Sequence, residues 1–256
     1  MSLKYPFYRT IRELVSAPNS GYSSWAYIRD KDYARSPQHF IRAYLLIQKD
    51  LSILFEYIEP SDESATAYSY RIHGLLMRTC IEVEANFKAI LLENGYVPEL
   101  NRFGSQILNM HVYRKVNVSH HLSSYEVLLP IWSGGGKIFT PYKAWEANNR
   151  VEWYEAYNLS KHNRHEAFKM ATFETLVNAV SGLLVLLTAQ FKTETFSAGS
   201  EGISVEGYDY HSHEAAIGDL FRVKYPEDWS EDELYDFDWS VLSQENIRFA
   251  KFDYNK

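Results

Sequence analysis

Cysteine is nearly missing from this 256-residue chain: Cys80 stands alone, so no disulfide framework holds the fold and no second thiol can join it on a metal. Its place inside a helical pattern suits a small buried hydrophobe in a reducing compartment. Long apolar runs are missing as well. The opening "MSLKYPFYRT" has no apolar core of the kind an export signal carries. The most apolar stretch, "LVNAVSGLLVLLTAQF", is interrupted by Asn178, Ser181 and Gln190 and falls short of the roughly 20 residues that span a bilayer. These absences predict a cytoplasmic protein with no membrane contact. Basic residues are absent from "EDWSEDELYDFD", Glu227 to Asp238, where seven acids account for the whole net charge of −7 and leave 26 acidic against 26 basic residues elsewhere. Net charge therefore does not exclude an RNA-binding face, although it supplies no broad basic footprint.

Catalytic signatures are also few. No G-x-S-x-G nucleophile elbow occurs. Gly134, Gly135, Gly136 and Lys137 lack the glycine spacing of a phosphate loop and the hydroxyl residue after the lysine, so they read as a flexible turn. Among nine histidines, the pair His120 and His121 and the "HSH" at 211–213 lack the further ligands a zinc site needs, and neighbouring side chains point apart. No metal and no cofactor are expected.

What is present is mostly helix. Ser36 and Pro37 resemble an N-cap followed by a first-turn proline, and Phe40, Tyr44, Ile47, Leu51, Phe55 and Ile58 then recur at helical spacing until Pro60. A second helix is predicted from about Ala65 to Asn94, with Gly95 as its stop; Ile72, Leu76, Val83, Phe87 and Ile90 form its apolar face. Arg71, Arg78, Glu82 and Asn86 cluster on the neighbouring face among the small residues Ala85 and Ala89, either as a partly buried network or as an exposed ladder of pairs. "SSYEVLLPIW" and "KIFTPYKAW" are β-prone runs around "SGGG", predicting a hairpin. A further helix spans about Thr172 to Phe191 and is apolar nearly all round. The expected organisation is an N-terminal arm (1–35), a mainly α helical domain (36–195) with a β insertion near 123–145, and an aromatic, acidic C-terminal extension (196–256).

The segment "WYEAYNLSKHNRHEAF", 153–168, carries the chemistry. Asn158, Lys161, His162 and His165 stand at i, i+3, i+4 and i+7, one face of a helix where apolar residues usually lie. Imidazoles exchange protons near neutral pH and an adjacent cation holds a phosphate, so this set matches the needs of a metal-independent ribonuclease. His162 would be general acid or base, Lys161 or Arg164 the phosphate clamp, and Asn158 an orienting donor. The competing reading has Asn158 and His162 bonded to Arg78 or Glu82, tying two helices together in a non-catalytic interaction module. His162→Ala would then cost about 1–3 kcal/mol. A third reading, a small-molecule pocket lined by Trp145, Trp153 and Tyr157, competes with an ordinary aromatic core.

Two long helices followed by a short polar "YNLSKH" and a further helix resemble the HEPN superfamily over residues 36–191. The motif shared by that superfamily is arginine, a polar residue that is often asparagine, three variable residues, then histidine. Asn158 and His162 match its second and last positions, and Tyr157 stands in place of the arginine. The resemblance implies an all-α bundle and a homodimer whose paired motifs face each other, acting on RNA without metal. It also implies a role in bacterial defence or stress. A tyrosine cannot neutralise a phosphate, so Arg164 or Arg78 would have to replace the missing cation. The expected partners are thus RNA and a second copy of the chain, with a basic protein as the partner that would suit the acidic tail.

Overall fold

The computed structural model describes residues 2–15, 25–196 and 213–256. The fold is mainly α. Pro37–Phe55 forms α1, Tyr70–Glu93 α2, Met110–Tyr113 α3, Asn117–His120 α4, Glu152–His162 α5, Arg164–Ala167 α6, Phe173–Phe191 α7 and Trp239–Leu242 α8. Proline opens α1 as the sequence predicts, but Ser36 lies in the left-handed region and makes no capping hydrogen bond, and the helix ends a turn before Pro60. The second helix starts five residues later than predicted, because Ser69 caps it by accepting from the Ile72 N–H. Gly95, at φ +85°, ends it.

Helix α7 is the hub. From Leu176 to Phe191 almost every side chain is buried, and α1, α2 and α5 all pack against it. It is the one helix, among the described residues, long and apolar enough to cross a membrane, yet 83% of its apolar window is buried inside the chain. Burial on all sides is what a helix without a polar face requires. Cys80 lies in the α2 face of this core, fully buried, and burial pushes its thiol well above the ordinary range.

The hairpin is present as Glu126–Leu129 (β1) and Lys137–Phe139 (β2), with Gly134, Gly135 and Gly136 all at positive φ in the turn. Lys137 is held by Asp62 at 2.8 Å and Glu174 at 2.6 Å. The sheet is larger than an insertion. Glu214–Ala215 (β3) and Arg222–Lys224 (β4) from the C-terminal extension complete an antiparallel sheet in the order β2-β1-β4-β3, with Val127 registered against both Phe139 and Val223. The extension therefore wraps back onto the helical body. The N-terminal arm does the same: Leu3 and Leu14 bridge Tyr235, Phe7 bridges Ala250, and the Ile11 N–H donates to the Ala189 carbonyl at the end of α7.

Between arm and body lies His120, fully buried. Its Nε2 donates to the Arg9 carbonyl at 2.8 Å, and its Nδ1 lies 2.7 Å from the Ser119 hydroxyl. Burial lowers its pKa from 6.5 to about 3. Because the unfolded chain binds this proton at higher pH than the native one, stability is expected to fall as pH drops from 6.5 toward 3. Urea titrations across that window should show the slope, and His120→Asn should flatten it.

Candidate functional site

The polar stripe does not assemble as the spacing suggests. Trp153, Ala156, Tyr157 and Ser160 own the buried face of α5, which turns Asn158, Lys161 and His162 outward. The helix then stops at His162, because Asn163 adopts φ −132°, ψ 60°. Arg164 and His165 belong to the separate turn α6, so His165 is not on the face of Asn158. Asn158, His162, Arg164 and His165 are exposed, and among the described residues their side chains form no hydrogen bond or ion pair. Lys161 points back along the helix, donating to the Tyr157 hydroxyl at 3.0 Å.

The expected partners on α2 face elsewhere. Arg78 pairs with Asp50 on α1 and donates to the Leu46 carbonyl. Asn86 donates to the Glu82 carbonyl of its own helix and accepts from Gln190 of α7 at 3.0 Å. Glu82 is half-buried, and burial raises its carboxyl against the opposing effect of Arg78. The residue that does meet α5 is Glu84, two positions on and about 200° around the helix. It accepts the hydroxyls of Tyr154 at 3.0 Å and Tyr157 at 3.1 Å, with the Lys88 ammonium 3.7 Å away. Burial first, and Glu84 second, raise both phenols well above the ordinary range. Two tyrosines three apart on a buried stripe need a polar acceptor across the interface, and that need was the available signal for Glu84. Tyr157, in the place of the motif arginine, is thus a core side chain at 1% exposure. Trp145 and Trp153 are buried with it, which makes the aromatic trio core and not a pocket.

The acidic segment is largely committed within the chain. Asp228 and Glu233 each lie 3.0 Å from one nitrogen of His121, whose ring stacks on Trp229. Asp236 pairs with Lys4, and Asp238 caps α8. Glu227, Glu231 and Asp232 remain at the surface. Of the "HSH" run, positions 211 and 212 lie outside the described residues, and no group of three or more metal-ligating side chains occurs among the described ones.

A different surface gathers rings and cations. The turn Phe168–Met170, directly after α6, places Phe168 among Tyr68 at 5.8 Å, Tyr70 at 4.7 Å and His73 at 5.4 Å between ring centres. Tyr68 and Tyr70 are 54% and 74% exposed. Arg71 follows Tyr70 on α2, Arg164 opens α6 and Lys169 follows Phe168; all three are exposed and, among the described residues, join no ion pair. Of the acids close in the chain or groove, Asp50 pairs with Arg78, and Glu166 accepts from the Asn163 amide at 2.7 Å. Exposed aromatic faces beside uncommitted cations can stack flat rings and neutralise phosphates. No family model matches this chain, and no curated protein or solved structure matches it.

Proposed function

We propose that the protein is an RNA-binding protein of HEPN-like architecture that takes single-stranded RNA on the Tyr68-Tyr70-Phe168 face. The observation that carries this reading is the cluster of exposed rings flanked by Arg71, Arg164 and Lys169. Stacking contributes about 1–3 kcal/mol per base and tolerates any sequence, while the cations make binding salt-dependent. The four helices α1, α2, α5 and α7 around one core support the HEPN-like part. Metal-independent cleavage is the narrower form of the proposal, and it requires a homodimer. His162 stands unaccompanied at an exposed helix end, so a second copy must supply the facing groups.

The test uses labelled mixed-sequence single-stranded RNA in EDTA. Binding by anisotropy should weaken about tenfold in a Tyr68→Ala, Lys169→Gln variant and fall steeply with salt. Cleavage that disappears in His162→Ala supports the catalytic form. Intact RNA, or equal cleavage by the variant, removes it. His162→Ala should change stability by no more than about 0.5 kcal/mol, since an exposed unpaired side chain leaves nothing orphaned. No RNA binding by the wild type at low salt overturns the whole reading.

A further inference from the structure

Gly74 lies inside α2, where glycine is the poorest residue apart from proline. Nothing in the fold asks for it. A Cβ built there meets no atom within 4 Å, and the backbone is not at positive φ. Gly74 lines an open groove between α1 and α2 of about 260 Å³, into which a side chain at this position would project. Its walls include Asp50, Ile53, Tyr70, Arg71 and Arg78.

These groups ask for three things at once. Arg71 is an uncommitted cation seven residues from Arg78, on the same side of the helix and about 10 Å along it. Arg78 is fixed in place by Asp50 and the Leu46 carbonyl. Tyr70 meets Phe168 at 4.7 Å with the rings tilted by 42°, and at 74% exposure much of its ring is free for a further contact. Asp50 uses Oδ2 on Arg78 and has Oδ1 left to accept a hydroxyl. A bare anion would meet repulsion from Asp50, and an apolar ligand would strand the charges. A ribonucleotide supplies a phosphate for Arg71, a base for Tyr70 and a ribose hydroxyl for Asp50.

We propose that the α1–α2 groove seats one ribonucleotide, with Gly74 left bare to admit it. This rests on the reading of the adjoining face as RNA-binding, since Tyr70 and Arg71 belong to both. The occupant is either one unit of a bound RNA strand or a free mononucleotide.

Anisotropy with labelled RNA and equilibrium dialysis with uridine 5′-monophosphate separate these sources, using the wild type, Gly74→Leu, Arg71→Gln and Lys169→Gln. Gly74→Leu should fill the groove, melt no lower than the wild type, and weaken both ligands about tenfold or more. Arg71→Gln should weaken them similarly, and the 2′-deoxy mononucleotide should bind more weakly than the ribonucleotide. Saturable mononucleotide binding lost in Gly74→Leu, without any RNA binding, upholds the groove and overturns the RNA reading. RNA binding that falls in Lys169→Gln but not in Gly74→Leu upholds the RNA reading and overturns the groove. Equal affinity for the 2′-deoxy form overturns the ribonucleotide assignment, and a wild type that binds neither ligand overturns both proposals.

Discussion

Arg9→Leu is expected to cost about 3–5 kcal/mol of folding stability. Arg9 is fully buried and at φ +57°, in a segment without periodic pattern. Its Nη1 donates to Gln190 at 2.9 Å and its Nη2 to the Arg35 carbonyl at 2.7 Å, while Nε lies 2.9 Å from the Glu93 carboxylate. The guanidinium also lies 4.7 Å from the centre of the Phe40 ring. One side chain thus ties the arm to α1, α2 and α7. Gln190 passes the connection on to Asn86. Removing the cation leaves the mostly buried Glu93 carboxylate without its counter-ion, holding the Arg35 N–H at 3.0 Å, and orphans the Gln190 oxygen, and a buried charge left without its counter-ion costs more than the pair contributed. Urea denaturation measures the loss. Arg9→Leu combined with Glu93→Leu should recover part of it, because neither charge is then left alone. A loss below about 1 kcal/mol for Arg9→Leu would show that the arm is not part of the cooperative unit.

That network also marks where sequence reading stops. α2 and α7 were legible because their apolar residues repeat every three or four positions, and the buried faces at Ile72, Leu76, Val83, Phe87 and Ile90 follow directly. The hairpin was legible from its glycines. Arg9 was not, because a charged residue in an irregular arm gives no sign that a glutamate and a glutamine wait for it far along the chain. The pairing of β1 with β4 was hidden for the same reason: strands of four and three residues nearly a hundred positions apart carry too little pattern to announce each other. At 153–168 the buried face is set by Trp153, Ala156, Tyr157 and Ser160, not by the spacing of the polar residues, and the break at Asn163 has no proline or glycine to signal it. Phe168, Tyr68 and Tyr70 come from segments some hundred residues apart, so their meeting needed the tertiary fold.

Trp153→Ala should cost about 3–5 kcal/mol, the usual range for emptying a buried tryptophan site. The indole is 2% exposed, donates from Nε1 to the Pro141 carbonyl at 2.9 Å and meets Tyr142 edge-on at 5.8 Å. Its far edge lies over α7 at Gly182, where an added Cβ would sit 2.9 Å from Cζ2 and 3.4 Å from the Tyr142 hydroxyl. Gly182 is therefore small because α5 approaches α7 here through a tryptophan, the reverse of the open space at Gly74. Tyr142 cannot readily yield, since its hydroxyl donates to the Gly182 carbonyl at 3.1 Å and its ring packs on Trp145 at 4.7 Å. Gly182→Ala should then cost about 1–3 kcal/mol from overpacking, less the roughly 1 kcal/mol that alanine returns in a helix. Only the first of these effects depends on the ring. In a Trp153→Phe background the six-membered half of the indole that carries Cζ2 is gone, so the alanine should be tolerated or even stabilising. A double-mutant cycle by urea denaturation should return a coupling of about 0.5–3 kcal/mol. Additivity within about 0.3–0.5 kcal/mol would mean that the ring and the glycine do not touch, and that α5 is held to α7 by some other contact.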